Sequence, residues 1–195
     1  MLTLFGSSST RAMRALWMLE ELGLGFDHVP CPPRAPELSG RTVLGKVPVL
    51  EADGADITDS TAILTYLADR EGRFTAPAGS VARARQDALT FQILDEFDAL
   101  LWTAARHTFI LPQEHRIPAI KEPLRWEFQR NVDRLMQRME GAYLMGDDLT
   151  IPDIVAVHCG SWAKVAKFPV ENAQFTAYCD RARARDGYRR AAARD

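Results

Sequence analysis

Apolar positions along the 195-residue chain change their period at about residue 73. Before that point, short apolar runs alternate with helical spacing. Leu2-Thr3-Leu4-Phe5 predicts a strand, and Gly6-Ser7-Ser8-Ser9-Thr10 a loop ending in residues that cap helices. Ala15, Leu16, Met18, Leu19 and Leu22 then share one side of a helix that stops at Gly23, because glycine takes the left-handed conformation at no steric cost. Phe26 to Val29 predicts a second strand. Pro30, Pro32, Pro33 and Pro36 make the next segment irregular, with a short helix around Pro36 to Leu44. Val49-Leu50-Glu51 and Ala55-Asp56-Ile57 flank Gly54 and predict a hairpin. Ile63, Leu64, Tyr66 and Leu67 predict a helix ending near Gly72. A strand–helix–strand opening closed by a hairpin and a helix is the element order of a thioredoxin-like α/β fold.

After a linker at 74–81, containing Pro77, Gly79 and Ser80, the pattern turns helical. The expected domains are therefore 1–73, α/β and thioredoxin-like, and 82–195, all-α. Ala84, Ala88, Phe91, Leu94, Phe97 and Leu101 are spaced as the apolar face of one long helix over about 82–107. Pro112 and Pro118 break it, and a second long helix runs from about Pro123 to Glu140, which suggests an antiparallel pair. Thr150-Ile151-Pro152-Asp153-Ile154 carries a capping box, with Leu149 and Ile154 spaced as a hydrophobic staple. The helix it opens, Ile154 to Lys167, is apolar on most sides and is expected at the centre of the second domain. The tail from Arg181 to Arg194, rich in Arg and Ala, reads as a solvated helix face.

Composition narrows the function classes. Hydrophobic residues make up 47% and the net charge is −2, so no basic footprint for nucleic acid is present. A chain of this size buries roughly 70% of its unfolded surface. The N-terminal residues lack a signal-peptide pattern and no apolar run is long enough to span a bilayer. Three scattered cysteines, Cys31, Cys159 and Cys179, argue against a disulfide framework and for a reducing cytoplasm. His28, His107, His115 and His158 lack metal-site spacing, and His158 is expected to be a satisfied core histidine.

The richest chemistry lies in Gly45-Lys46-Val47-Pro48-Val49-Leu50 and the following Asp59-Ser60. Pro48 cannot donate to a sheet ladder, so it belongs at a strand start or edge. A cis bond there would leave the N–H and C=O of Val47 for an extended peptide. The helix start at Asp59-Ser60 attracts a carboxylate through free N–H groups, and Asp59 attracts an amine. A short peptide with both groups at one end fits. A G-[KQ]-V-P-x-L strand followed by an acidic-Ser pair resembles the glutathione-binding half of the cytosolic glutathione transferases, in particular their bacterial, Ser-type, theta/phi-like members. The resemblance extends over nearly the full length, including the capping box of the core helix. It implies that Val47 and Pro48 pair with the cysteinyl backbone of glutathione and that Asp59 and Ser60 hold its γ-glutamyl end. Asp59 is one methylene shorter than the family's usual Glu.

The start of the first helix is where a thioredoxin fold stabilises a thiolate. Ser7-Ser8-Ser9-Thr10-Arg11 contains no cysteine, so the thiol is expected to come from the ligand and a hydroxyl to donate to it. A free thiol has a pKa of about 8.5 and is only about 3% ionised at pH 7; lowering it by about two units takes about 2.7 kcal/mol. A serine hydroxyl, the helix start and Arg11 can supply that together. Counted from the helix end Leu19-Glu20-Glu21-Leu22-Gly23, the catalytic serine of the Ser-type classes falls on Ser9, with Ser7 as runner-up. The Ser-Ser-Cys motif of the zeta-type members is incomplete, so isomerase activity is not assigned. Lys46, or alternatively Arg34 or Arg41, is expected to meet the glycyl carboxylate. The resemblance further implies a homodimer and a second site for a small hydrophobic electrophile between the halves, lined by Trp102, Arg106 and Phe109 with Trp126 beside them. No permanent cofactor or metal is expected, only glutathione as co-substrate. Two other readings stay open: a non-catalytic glutathione-binding protein, and a glutathione-dependent disulfide reductase.

Overall fold

In the computed structural model, which describes residues 1–195, the chain forms two compact units: Met1–Ser80 with Arg183–Asp195, and Val81–Ala182. The first unit is a thioredoxin-like α/β fold. Its strands β1 (Leu2–Phe5), β2 (Asp27–Val29), β3 (Val49–Ala52) and β4 (Ala55–Thr58) form one sheet in the order β2-β1-β3-β4. β1 runs parallel to β2 and antiparallel to β3, and β3 antiparallel to β4. The parallel pair needs a crossover, and helix α1 (Ala12–Leu22) supplies it. The hairpin turns at Asp53-Gly54, both at positive φ (52° and 81°), as a tight two-residue turn between right-twisted strands requires. Helix α2 (Ser60–Glu71) follows. α1 is buried continuously from Ala12 to Leu19, and Leu4 and Leu50 from the sheet and Ile63 from α2 are likewise fully enclosed. Each such large apolar side chain contributes about 1.5–3 kcal/mol on burial. Both helices end at a glycine in the left-handed conformation, Gly23 and Gly72. The helix expected over Pro36 to Leu44 reduces to one 3₁₀ turn, Pro36–Leu38, because Ser39 is extended and Gly40 takes a positive φ of 77°.

The tail does more than present a solvated face. Helix α8 (Asp186–Ala192) packs on α1 within the first unit. Arg185 grips both oxygens of Glu21 at 2.8 Å. Arg190 and Arg194 each donate to Glu20 at 2.7 Å. Tyr188 meets Trp17 edge to face at 5.0 Å. A Cβ on Gly187 would lie 2.7 Å from the Glu21 carboxyl carbon, so a side chain there would push the Glu21 carboxylate out of its present position. The tail thus departs from the expected 82–195 domain and packs with the α/β unit. The sequence pattern did not show this because the acidic partners, Glu20 and Glu21, lie about 165 residues upstream.

The second unit is all helical: α3 (Val81–Ile93), α4 (Ala99–Ala105), α5 (Lys121–Met136), α6 (Ile151–Val165) and α7 (Ala173–Arg183). Two π-helical turns, Leu94–Asp98 and Arg106–Ile110, interrupt the long helix expected over 82–107. Each widened turn takes up an extra residue and rotates the apolar face. Phe97 and Leu101 are buried as expected, but upstream the buried positions are Gln86, Leu89, Thr90 and Ile93. Ala84, Ala88 and Phe91 face outward instead. α6 is buried along most of its length, as its composition predicts. The Asp153 carboxylate reaches back to the N–H and hydroxyl of Thr150, both at 2.8 Å. It also accepts the Leu144 N–H at 2.9 Å and the Tyr178 hydroxyl at 2.8 Å, tying α6 to α7. His158 is half-buried and meets the Trp162 ring edge to face, rather than lying enclosed in the core.

Candidate functional site

The register of the sheet brings three loops to one edge. Phe5, at the end of β1, pairs with Val49, at the start of β3, and Val49 pairs with Thr58, at the end of β4. The segments just beyond this row are Gly6–Thr10, Val47-Pro48 and Asp59-Ser60. Neighbouring strands lie about 4.8 Å apart, so the row spans about 10 Å. An extended tripeptide has about that length. Gly6 brings two of the loops into contact: a Cβ there would lie 2.8 Å from the Ala12 Cβ and 2.9 Å from the Val47 Cβ. A side chain at residue 6 would force α1 and the Val47 loop apart.

The Val47–Pro48 peptide bond is cis. Pro48 is buried and Val47 half-buried. Val47 precedes the β3 ladder, and neither its N–H nor its C=O bonds another backbone group. Phe5, Cys31, Leu38 and Val49 form the apolar floor under this loop, with Val29, Ala35 and Val47 packed against it. Lys46 is exposed beside it. Arg34 lines an open concavity of about 460 Å³ with Ala35, Val43, Leu44 and Gly45. Arg41 is not available for a ligand carboxylate in the way the sequence suggested. It bridges Glu51 at 2.7 Å and Asp56 at 2.8 Å, with its guanidinium 4.3 Å from the Phe5 ring.

Asp59 has the positive φ of 71° that non-glycine residues rarely adopt. Its Oδ1 caps α2, accepting the N–H groups of Thr61 at 2.7 Å and Ala62 at 3.2 Å. Oδ2 accepts none of these donors. Ser60 begins the helix, where backbone N–H groups lack intrahelical partners. Its hydroxyl accepts a hydrogen bond from Arg14 at 3.2 Å. Arg14 is 1% exposed and was missed by the sequence reading. The available signal was its place as the only charge within the apolar run Ala12 to Leu19.

Four hydroxyls lie along the first loop, and they are used differently. Thr10 is the capping residue: its Oγ1 donates to the Ser7 carbonyl at 2.7 Å and accepts the Ala12 N–H at 3.1 Å. The Ser7 N–H donates to the Cys31 carbonyl at 3.2 Å. The Ser8 N–H donates to both oxygens of Asp195. Ser9 is exposed and takes no part in capping. Arg11 follows as the residue preceding α1. His28 on β2 contacts the Gly6 carbonyl at 2.9 Å. Cys31 is buried and is the cysteine nearest the loop; burial, with the charge of Glu37, pushes its thiol above the ordinary value. It is therefore a poor nucleophile. No group of three or more His, Cys, Asp or Glu side chains is arranged to hold a metal.

In the helical unit, Trp102 is half-buried on α4, while Arg106 and Phe109 lie on the second π turn, Phe109 being 64% exposed. Arg106 donates to the Thr103 hydroxyl at 3.1 Å, and its Nε is buried without a partner. Trp126 is 65% exposed, with the Arg130 guanidinium 4.8 Å from its ring.

Residues 4–75 match the family model of the glutathione S-transferase N-terminal domain. Among curated proteins, a maleylacetoacetate isomerase of Rhizobium meliloti (strain 1021) is 44% identical over 61 residues, which are 31% of this chain and 29% of that protein. The match therefore spans less than a third of that relative. Among solved structures, a glutathione transferase from Methylococcus capsulatus str. Bath superposes with a TM-score of 0.85 at 24% identity, over 98% of this chain and 97% of the other. The theta class glutathione S-transferase of Xanthomonas axonopodis pv. citri, with glutathione bound, gives a TM-score of 0.79 at 20% identity, over 100% and 98%. At these identities the structural matches show a shared fold along the whole chain.

Proposed function

Because residues 4–75 match the N-terminal domain of the glutathione S-transferases, we propose that the chain is a member of the cytosolic glutathione transferase family and acts as a glutathione transferase, joining the glutathione thiolate to a small hydrophobic electrophile. The observation that carries this reading is the Phe5–Val49–Thr58 row and the groups just beyond it. The N–H and C=O of Val47 pair with the cysteinyl backbone, as one strand pairs with another. The start of α2 takes the γ-glutamyl carboxylate at the Ser60 N–H, and Asp59 Oδ2 takes the amine. Lys46 meets the glycyl carboxylate. These contacts place the thiol at the first loop, where the Ser9 hydroxyl, the start of α1 and Arg11 favour the ionised form. Ser9 is chosen over Thr10 because Thr10 is spent on capping; Ser7 is the alternative.

The thiolate attacks the electrophilic carbon, the new C–S bond forms, and the leaving group or the adjacent unsaturated system takes the electron pair. The protein lowers the thiol pKa and holds the reactants together. We assign the electrophile to Trp102, Arg106 and Phe109, since π turns recur at functional sites and this one carries two of the three residues. A homodimer fits an outward apolar stripe on α3: Val81 is 71% exposed and Phe91 64%, with Ala84 and Ala88 between them. The buried free cysteines suit a reducing cytoplasm, and no helix is long and apolar enough to cross a membrane. The isomerase activity of the curated relative is not carried over, because Ser7-Ser8-Ser9 lacks the cysteine of the Ser-Ser-Cys motif.

Turnover tests the reading. With glutathione and an activated aryl halide, wild type is expected to form the thioether, and Ser9→Ala to lower kcat/KM by about 10²-fold. Glutathione binding without thioether formation would point to a non-catalytic binding protein. Release of oxidised glutathione from a mixed disulfide, with no thioether, would point to a reductase.

A further inference from the structure

Asp195, beyond α8, lies against the loop that carries the candidate catalytic serines. Both of its carboxylate oxygens accept the Ser8 N–H, Oδ1 at 3.0 Å and Oδ2 at 3.1 Å. The path to this position is anchored at several points. Arg190 donates to the Glu20 carboxylate and to the Glu20 carbonyl at 2.8 Å. Arg194, the residue before Asp195, donates to Glu20 at 2.7 Å. Its guanidinium also lies 4.0 Å from the centre of the Phe26 ring. The end of the strap is therefore held by an ion pair and a cation–π contact immediately beside the carboxylate.

The loop favours a negative charge at this place. Partial burial pushes the Asp195 carboxyl up, but the Ser8 N–H, the hydroxyls of Ser8 and Ser7, and the charge of His28 outweigh it and hold the group below its ordinary value. The positive end of α1 acts in the same direction. These are donors of the kind a thiolate at the same loop would use, and Ser8 is the neighbour of Ser9. A carboxylate here also repels a second anion.

We propose that Asp195 is an internal anion, carried on a strap from α8, which occupies the Ser7–Ser8 donors and competes with the ligand's thiolate for the first loop. The identity of that ligand rests on the transferase reading above; the strap itself does not. With Asp195 docked, a bound thiol stays protonated more of the time, and full thiolate formation requires the strap to release. The contact is exposed to solvent, so the expected effect is modest, about two- to fivefold.

The test compares wild type, Asp195→Asn and Arg194→Ala in low salt. Calorimetry is run with glutathione and with S-methylglutathione, which cannot form a thiolate, and Ser8 amide exchange is followed by NMR. Asp195→Asn is expected to bind glutathione about two- to fivefold more tightly, leave S-methylglutathione affinity unchanged and speed exchange at Ser8. Arg194→Ala should act in the same direction. Equal glutathione affinity in wild type and Asp195→Asn overturns the competition, as does equal tightening of both ligands. Unchanged Ser8 exchange overturns the strap. If neither ligand binds any of the proteins while Ser8 exchange still responds to Asp195→Asn, the strap stands and the transferase reading fails.

Discussion

Asp59 caps α2 with one carboxylate oxygen, and in the proposed site the other oxygen serves the ligand. Oδ1 caps α2 through Thr61 and Ala62, while the charge and Oδ2 remain for a ligand amine. Asparagine keeps a capping oxygen and loses the charge. Asp59→Asn is therefore expected to weaken glutathione binding by about five- to tenfold, the difference between a charge-assisted and a neutral hydrogen bond, with the melting temperature within about 2 °C of wild type. Asp59→Ala should also lose about 1 kcal/mol of stability with the cap. Calorimetry and thermal melting read the two effects apart; unchanged affinity in Asp59→Asn would show that the amine does not bind there. Much at this scale was legible in the sequence. Pro48 after an apolar-run entry, Gly54 in a hairpin and Asp59-Ser60 before a helix each have one local physical meaning. Arg14, holding Ser60, and Arg41, spent on Glu51 and Asp56, were not legible. Their partners lie on other elements, and charge alone does not reveal whether an arginine is committed.

Arg185, Arg190 and Arg194 tie the tail to Glu20 and Glu21 of α1, and these ion pairs make the join sensitive to acid. Burial pushes the Glu20 and Glu21 carboxyls up, but the arginines that donate to them, with Trp17 at Glu21, outweigh it and hold both below the ordinary carboxylate value. A carboxyl depressed in the folded state contributes stability that is complete above its unfolded pKa and is lost as pH falls through its folded pKa. Protection of α8 amides against hydrogen exchange should therefore hold at neutral pH and fall once the pH drops below about 4.5. Glu21→Gln should show reduced protection already at neutral pH. Equal α8 protection in wild type and Glu21→Gln would mean that apolar packing, not the Arg185 pair, holds the helix. The same elements show where periodicity misleads. The long-helix stripe was correct at Phe97 and Leu101 and wrong upstream, because the π turn Leu94–Asp98 shifts the register and no residue type marks such a turn. By contrast, the capping box at Thr150 and Asp153 is local and was read directly, although its extension to Tyr178 was not.

At the scale of the whole molecule, the exposed stripe Val81, Ala84, Ala88 and Phe91 on α3 is expected to be covered by a second copy of the chain. Light scattering should give twice the 21.8 kDa chain mass, and Phe91→Asp should return the monomer; a monomeric wild type would contradict the assembly. In the proposed function, the first loop of the α/β unit is expected to ionise a thiol that the ligand brings. The most direct measurement is the ultraviolet thiolate absorbance of bound glutathione against pH, in wild type, Ser9→Ala and Ser7→Ala. Wild type is expected to hold the thiol pKa well below the free value of about 8.5, and Ser9→Ala to raise it by about one unit or more, equivalent to about 1.4 kcal/mol. A comparable rise in Ser7→Ala instead would keep the mechanism and move the donor to Ser7. Bound glutathione with an unshifted thiol pKa in all three proteins would contradict the account.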